Sequence, residues 1–456
     1  MIKFFTRLKL EYIYVIFMLV AGTILTFLTP VYQVPDEPNH FARAWQISES
    51  IFISPTENRE DSYKNLLSRV PAAFFPKKYI DNPFDAEKRF SLGDISEFMS
   101  SPVNFNETIT LQINNTGSYA PVVYFPQVIA AYLVRNFTKG GGGHYFYSMR
   151  FAAVLFVTLC IFLAIKILPE KSFLIFLIAM MPTFLAESAS IAADAVINSV
   201  SILVSAYILS LARTDERLKP SQIFILLLSA IIIGLLKQVY GTIMLLYFVI
   251  PYKRLGSRKN YITLGIIILL VCLISSLSWL YLGVTRLNAA SGFNSGIYIN
   301  PAEQMKFFAA NPLKVFKAII TSYKDVTFFA RSFMATLGWL QAPMSLWFCF
   351  IYASVVMAGS LFGELKIYFR QRLIMIGGCL ATLLAIDFML YFTWNSPGAL
   401  ICEGMQGRYL IPLAVMGFSA ISYFPRLKHE KAIALTAGLV SAAMTIIKTY
   451  TYFYRV

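Results

Sequence analysis

Two adjacent carboxylic acids and an imidazole stand between prolines in the segment PDEPNH at residues 35–40. Pro38 suits the first turn of a helix with Asp36 near its cap, and we expect that helix to continue to Ser50. Because consecutive side chains point in different directions, only one of Asp36 and Glu37 is available as a general base. The same pattern also fits a helix cap with solvated acids, which involves no chemistry.

Four basic residues stand at the ends of apolar segments: Arg150, Lys237, Arg331 and Arg408. The topology predicted below places all four on the outer side, against the inner excess of positive charge that orients membrane proteins. One such residue alone is explained by snorkelling of its side chain to the interface. Four together predict a site for an anion such as a lipid phosphate or pyrophosphate, because Arg offers a bidentate fork and Lys a point charge.

Other polar residues lie near these cations in the sequence. Asp194 stands near the outer end of the fourth predicted span, where it is placed to pair with a cation, either structurally or in catalysis. We add three neighbours of the cations to the candidate site: Tyr240 with the phosphate-binding residues, and Gln406 and Tyr409 as supporting residues.

No motif of a soluble catalytic domain is present. The sequence contains no P-loop, no GxGxxG after a strand, no HExxH and no GxSxG, which excludes an ATPase domain within this chain. Its five cysteines form no CxxC and no cluster with histidine, so no disulfide framework and no zinc site is predicted. No cofactor is indicated with certainty, although a divalent cation is compatible with the chemistry considered.

The composition indicates a membrane protein. Of the 456 residues, 57% are hydrophobic and only 14% are charged, whereas soluble domains carry about 25% charged residues. The net charge of +15 does not indicate a nucleic-acid partner, because the basic residues stand in short clusters between apolar runs. That arrangement is typical of cytoplasmic loops in a plasma (inner) membrane protein.

We predict an all-α polytopic membrane protein forming one domain over residues 1–456, with about eleven transmembrane helices. The predicted spans are 11–29, 148–166, 171–187, 190–211, 222–236, 238–251, 261–283, 343–363, 372–393, 407–424 and 431–451. With the N-terminus inside, which its basic residues Lys3, Arg7 and Lys9 favour, alternate loops are short and basic.

Two long extracytoplasmic loops follow from this topology, at residues 30–147 and 285–341. The first contains the apolar stretch 119–137, YAPVVYFPQVIAAYLVRNF. A crossing there would invert every later loop, so we predict an amphipathic helix lying in the membrane interface.

Six motifs resemble those of the GT-C superfamily of integral membrane glycosyltransferases, and more narrowly a bacterial GT-C-related family of predicted membrane proteins catalogued as a domain of unknown function. They are PDEPNHFARAW at 35–45, YAPVVYFPQ at 119–127, MR at 149–150, MPTFLAESASIAADAVIN at 181–198, LKQVYG at 236–241 and EGMQGRYLIPL at 403–413. They occur in order over most of the chain. The first of them, which we call the acid motif, and QGRY are fairly specific for the family when they occur together. Each of the other motifs alone is a weak indication.

The resemblance implies an inverting transferase whose donor is a polyprenyl-phosphate sugar, such as an undecaprenyl-phosphate hexose, acting on the extracytoplasmic face. By analogy Asp36 is the general base, with Glu37 as the competing choice. His40 either orients the acid or is an ordinary helix-face residue. Arg150, Lys237 and Arg408 would hold the lipid phosphate of the donor.

The resemblance also implies several partners. The acceptor is a cell-envelope glycan or lipid, the chain sits in the lipid bilayer, and a membrane glycosyltransferase that synthesises the donor is a further partner. The alternatives are a transporter or flippase of a lipid-linked glycan, a polymerase or ligase that moves a whole oligosaccharide, and a structural scaffold. Transporters favour polar sites at the membrane midplane, whereas the polar residues here are predicted to gather at one side.

Overall fold

The computed structural model describes residues 8–58, 64–82, 85, 87–138, 140–287 and 297–454. Lys3 and Arg7, used for the predicted orientation, and residues 288–296 of the second long loop lie outside these ranges. Within them the α-helices are α1 (Leu10–Leu28), α2 (Glu37–Ser48), α3 (Lys77–Ile80), α4 (Gly93–Ser100), α5 (Phe125–Phe137), α6 (Gly142–Ile167), α7 (Ser172–Ala179), α8 (Pro182–Ser188), α9 (Asp194–Leu211), α10 (Pro220–Leu236), α11 (Arg258–Leu280), α12 (Pro301–Ala310), α13 (Pro312–Ser322), α14 (Val326–Met334), α15 (Leu346–Leu361), α16 (Phe369–Thr393), α17 (Ala414–Ala420) and α18 (Glu430–Phe453).

Six of the described helices are long and apolar enough to cross a membrane: α1, α6, α9, α11 with its extension to Thr285, α16 and α18. A seventh candidate consists of α7, with the 3₁₀ turn before it, and α8, which are bent by 79° at the break between them. Pro182 begins α8 and causes this break, because proline lacks the N–H that a continuous helix needs. The described residues therefore form a predominantly helical membrane protein, as the composition predicted.

The other predicted spans correspond to shorter elements. Helix α10 has 17 residues and α15 has 16. The predicted span 238–251 is a 3₁₀ helix, Gln238–Val249. The predicted span 407–424 is divided into a 3₁₀ helix, Gly407–Leu413, which contains Pro412, and α17. These four short or divided elements account for the difference between about eleven predicted spans and the six or seven long ones.

The first long loop contains a small sheet that the sequence analysis did not predict. Strands β1 (Thr56–Asn58), β2 (Lys64–Pro71) and β3 (Thr108–Gln112) pair antiparallel in the order β1-β2-β3. A second pair, β4 (Thr336–Leu337) and β5 (Ala342–Pro343), is also antiparallel. Helix α2 packs on β2, because Gln46 donates to Leu67 O at 2.7 Å and Ser68 Oγ donates to Ala42 O at 2.8 Å. The sheet therefore holds the helix that carries the acid motif.

Helix α5 lies beside α6 with an apolar exposed side. Its residues Phe125, Ile129, Leu133 and Phe137 are exposed, whereas Gln127, Ala130, Ala131 and Val134 are buried. Between α5 and α6 runs an apolar groove of about 620 Å³, lined among others by Pro126, Ala152 and Leu155. An exposed apolar side of this kind is suited to lipid.

At the end of the bundle opposite the acid motif, a buried lysine links several elements by hydrogen bonds. Lys171 is 1% exposed, and its ammonium donates to Ser360 O at 3.0 Å, Phe362 O at 3.1 Å and Ser422 Oγ at 2.8 Å. All three donors of the ammonium are used. Lys171 thus joins the start of α7 to the end of α15 and to the segment after α17.

We expect Lys171→Met to destabilise the fold, because it leaves three buried acceptors unpaired, each costing about 1–3 kcal/mol. The apparent melting temperature in detergent should fall by several degrees. Lys428→Met is the control, since Lys428 is exposed and should melt like the wild type. Equal melting temperatures for the two variants would show that the Lys171 contacts contribute nothing.

Candidate functional site at the loop pole of the bundle

A buried ion pair joins the first loop to the spans. Glu37 and Arg150 are both 0% exposed. Arg150 Nε donates to Glu37 Oε1 at 2.8 Å and Nη2 donates to Glu37 Oε2 at 2.6 Å, which is a bidentate pair. The remaining guanidinium donors bind the carbonyls of Thr26, Thr29 and Pro30 at 2.6–3.1 Å. The pair, which we call the clamp, thereby fixes the end of α1, the start of α2 and the middle of α6.

The clamp occupies the hydrogen-bonding groups of both residues. All five guanidinium donors of Arg150 are occupied. Glu37 also accepts the backbone N–H of Ile191 at 3.1 Å. Arg150 therefore has no donor to offer a lipid phosphate, and Glu37 has no exposed oxygen to offer a substrate. The geometry indicates structural roles for both residues, while phosphate binding by Arg150 and general-base catalysis by Glu37 stay predictions.

Asp36 precedes the clamp in a backbone conformation that is uncommon for its residue type. Its φ of 59° lies in the left-handed region, which Asp tolerates better than most residues. The side chain does not cap α2. Instead its Oδ1 accepts from Asn115 at 2.9 Å, and Asn39 donates to Asn115 Oδ1 at 2.7 Å. Oδ2 has no hydrogen bond within the described residues, so one oxygen of a half-buried carboxyl is available to a substrate.

His40 is buried, and its Nδ1 lies 2.7 Å from Tyr124 Oη. Burial lowers the pKa of His40 to about 4, with smaller contributions from Asp36 and Asp194, which raise it, and from Arg408 and Lys237, which lower it. The ring is therefore neutral near pH 7. The ring of His40 lies 5.9 Å from that of Tyr119, and the Lys237 ammonium lies 6.0 Å from the same Tyr119 ring, so Tyr119 connects residues 35–40 to this cation.

Lys237 is a half-buried cation without a conventional partner. Within the described residues its ammonium makes no hydrogen bond and no ion pair. It lies 4.8 Å from the ring centroid of Tyr409 and 6.0 Å from that of Tyr119. Two aromatic faces stabilise the charge without neutralising it, so Lys237 retains its capacity to bind an anion.

Arg408 is 5% exposed and is only partly used by neighbouring groups. Its Nη1 donates to Asp194 Oδ2 at 2.8 Å and lies 3.6 Å from Glu187 Oε1. Its Nε donates to Gln406 Oε1 at 2.6 Å. Nη2 makes no hydrogen bond with any described residue. Asp194 and Gln406 thus orient a guanidinium that keeps one free edge.

Breaks in the helices bring Lys237 and Arg408 to one ring, that of Tyr409, at 4.8 Å and 5.2 Å from its centroid. Helix α10 ends at Leu236, and Lys237 takes an extended conformation before the 3₁₀ helix Gln238–Val249. Tyr240 Oη donates to Tyr409 O at 2.9 Å and links that helix to the segment of Arg408. Gly407 allows this segment to touch α14, because a β-carbon there would collide with the backbone of Phe329 and Phe333.

Arg331 is not brought into this cluster. It stands on α14, and none of its contacts within the described residues involves Asp36, Lys237 or Arg408. Sequence reasoning also missed Asn115, Tyr119 and Tyr124, which contact the acid motif or Lys237. The loop that holds Asn115 and Tyr119 has no hydrophobic periodicity. The two tyrosines were marked only because they belong to the segment YAPVVYFPQ. Within the described ranges, no group of three or more His, Cys, Asp or Glu side chains is placed to hold a metal ion.

One comparison with known proteins gives a match. A family model described as "Predicted membrane protein (DUF2142)" matches residues 19–416, which include every residue of the site described above. No curated protein and no solved structure matches the chain.

We expect Glu37→Gln to destabilise the protein, because it leaves the buried charge of Arg150 without its counter-charge. Breaking a buried ion pair costs about 3–5 kcal/mol. The measurement is the yield of monodisperse protein and its apparent melting temperature in detergent. Asp36→Asn, one residue away, is the control and should melt like the wild type. A Glu37→Gln protein as stable as this control would contradict a structural role for the clamp.

The titration of His40 predicts a pH dependence of stability. Its folded pKa of about 4 lies below the unfolded value of about 6.5, so the unfolded chain binds more protons between these pH values. The contribution of about 3 kcal/mol is complete above pH 6.5 and is lost as the pH falls towards 4. The apparent melting temperature should fall more between pH 7 and pH 5 in the wild type than in His40→Gln. Parallel curves for the two proteins would refute the prediction.

Proposed function

We propose that this chain, which belongs to the family of predicted membrane proteins designated DUF2142, is an inverting glycosyltransferase of the GT-C type. Its donor is a polyprenyl-phosphate-linked sugar, and its acceptor is a glycan or lipid of the cell envelope. The observation that carries the proposal is the Lys237 ammonium, which lies against aromatic rings and is unpaired among the described residues, together with the Asp36 carboxyl, one oxygen of which is unbonded in the same part of the chain.

The electrostatic neighbourhood supports a single reaction centre. The ring of Tyr409 lies 4.8 Å from the Lys237 ammonium and 5.2 Å from the Arg408 guanidinium. The ring of Tyr119 lies 6.0 Å from the same ammonium and 5.9 Å from the ring of His40, which is on the helix that Asp36 precedes. A base and two cations within mutual electrostatic reach fit a reaction in which a hydroxyl loses a proton while a phosphate gains negative charge.

The proposed step is a direct displacement. Asp36 Oδ2 accepts the proton of the acceptor hydroxyl. The acceptor oxygen bonds to the anomeric carbon as the bond from that carbon to the phosphate oxygen breaks, and the electron pair leaves with the polyprenyl phosphate. Lys237 and the free edge of Arg408 stabilise the charge that develops on the phosphate. The products are a glycoside of inverted configuration and free polyprenyl phosphate.

The surrounding residues have positioning roles in this proposal. Asn115 holds Oδ1 of Asp36 and so directs Oδ2 outward. Asp194 and Gln406 fix the guanidinium of Arg408. The clamp residues and Arg331 have no part in the chemical step. The apolar groove between α5 and α6 begins at Phe125, directly after Tyr124, and would take the polyprenyl chain of the donor.

The proposal includes the topology inferred from the basic loops. The 3₁₀ helix Gln238–Val249 extends about 24 Å at roughly 2.0 Å per residue, which nearly crosses a hydrocarbon core of about 30 Å. With the shorter and broken helices counted as crossings, the chain passes the membrane about eleven times. The acid motif and the two cations then lie on the extracytoplasmic side of the plasma membrane, at headgroup height.

We expect Asp36→Asn to reduce turnover by about 100-fold or more, because a general base contributes about 10²–10⁴ in rate. Lys237→Gln should reduce it by about 10–100-fold through weaker stabilisation of the leaving phosphate. The assay uses purified protein in detergent, short-chain polyprenyl-phosphate hexoses as donors and envelope glycolipid extracts as acceptors. It measures the release of polyprenyl phosphate.

Two control variants distinguish the loss of a catalytic group from the mere loss of a charge. Glu107→Gln and Lys314→Gln remove an exposed acid and an exposed lysine outside the site, and both should retain wild-type turnover. If Asp36→Asn turns over like Glu107→Gln, the assigned base is wrong. If the wild type binds the donors without releasing polyprenyl phosphate, the transporter alternative replaces the transferase.

A further inference from the structure

Two loops are joined at the pole opposite the acid motif. Arg254 is buried, and its guanidinium donates to Glu216 O at 2.6 Å and also to Leu211 O. In return Arg254 O accepts the backbone N–H of Leu218 at 2.9 Å. These bonds fix the loop of residues 212–219 against the loop of residues 252–259. We call the joined pair the basic corner.

The basic corner carries a strong positive charge. Its two loops contain seven basic and two acidic residues, a net charge of +5. Arg213 is paired with Glu170 at 2.6 Å. Arg217 and Lys219 are exposed and form no ion pair with any described residue. Helices α10 and α11 both begin here, so the positive ends of two helix dipoles add to the field.

An open groove of about 630 Å³ runs from the basic corner along α10 and α11. Its upper part is lined by Arg217, Arg254 and Asn260, and its lower part by Ile223, Leu264 and Ile267. A neighbouring polar cavity of about 270 Å³ shares Arg217 and Arg254 and is lined by Lys219. One end of this groove is therefore lined by cationic and amide groups, and the other end by apolar side chains of α10 and α11.

We propose that the basic corner binds the phosphate headgroup of an anionic phospholipid, with one acyl chain in the groove between α10 and α11. The headgroup faces free cations and helix N-termini, and the chain faces Leu264 and Ile267. A soluble anion would leave the apolar part of the groove unfilled. A zwitterionic lipid would bring its own cation against a surface that is already positive.

The site is separate from the proposed catalytic cluster. Helix α10 begins at the basic corner and ends at Leu236, beside Lys237, which places the two sites about 25 Å apart at 1.5 Å per residue. The lipid therefore has no contact with the reacting groups. Its binding would hold together the two helices whose far ends carry Lys237 and the Trp279 contact to Ser118.

The test is native mass spectrometry of the full-length protein in detergent, titrated with dioctanoyl phosphatidylglycerol. The double variant Arg217→Gln with Lys219→Gln should bind this lipid roughly 30-fold more weakly, at about fivefold per cation. Binding to the wild type should also weaken as salt rises. Dioctanoyl phosphatidylcholine should bind weakly and equally to both proteins.

Controls identify the source of any effect. Lys366→Gln with Lys428→Gln removes the same charge from exposed lysines at this pole outside the groove, and it should bind like the wild type. Glycerol phosphate, which lacks acyl chains, should bind far more weakly than the lipid. Ile267→Trp, which fills the groove and keeps every charge, should lose lipid binding. Equal binding of phosphatidylglycerol by the two double variants, or glycerol phosphate binding as tightly as the lipid, would overturn the proposal.

Discussion

The loop pole, the end of the bundle where residues 35–40 lie near Lys237 and Arg408, depends on the buried pair of Glu37 and Arg150. Two charges removed from water carry a desolvation cost of several kcal/mol each, which only good geometry and complete hydrogen bonding repay. Here every guanidinium donor has an acceptor, and three of those acceptors are carbonyls at the end of α1. Because Glu37 is fixed, its neighbour Asp36 is fixed as well. The left-handed backbone of Asp36 turns its carboxyl away from the clamp and towards Asn115.

Burial separates the predicted cations into different roles. All five donors of Arg150 are occupied by Glu37 and backbone carbonyls, which indicates a structural role. Arg408 is shared between Asp194 and Gln406 and keeps one edge. Among the described residues, Lys237 is contacted by aromatic faces and by no hydrogen-bond acceptor. Cation–π contacts contribute about 0.5–2 kcal/mol, less than full pairing would, and an unpaired cation in this position is the feature that most needs a functional explanation.

The sequence identified the acid motif and three of the cations of the loop pole, because charged residues beside apolar segments are costly and therefore conspicuous. It did not reveal that Glu37 pairs with Arg150, since 113 residues separate them and no local period connects them. Helix positions followed from apolar runs, but Pro182 and Pro412 interrupt segments whose composition resembles continuous spans. The strands of the first loop were missed because β1 has only three residues and the alternation of β3, TITLQ, covers only five.

The same helix breaks that shortened the predicted spans also produce the site. In a continuous helix through residues 220–249, Lys237 would stand within the apolar part of a span, where a charge costs about 2.5–3.5 kcal/mol on insertion scales. Ending α10 at Leu236 instead turns this side chain out between Tyr119 and Tyr409. A 3₁₀ helix begins on each side of the cluster, at Gln238 and at Gly407, and the bond from Tyr240 to Tyr409 O joins them. In this protein the irregular segments are the ones that carry Lys237 and the partly used guanidinium of Arg408.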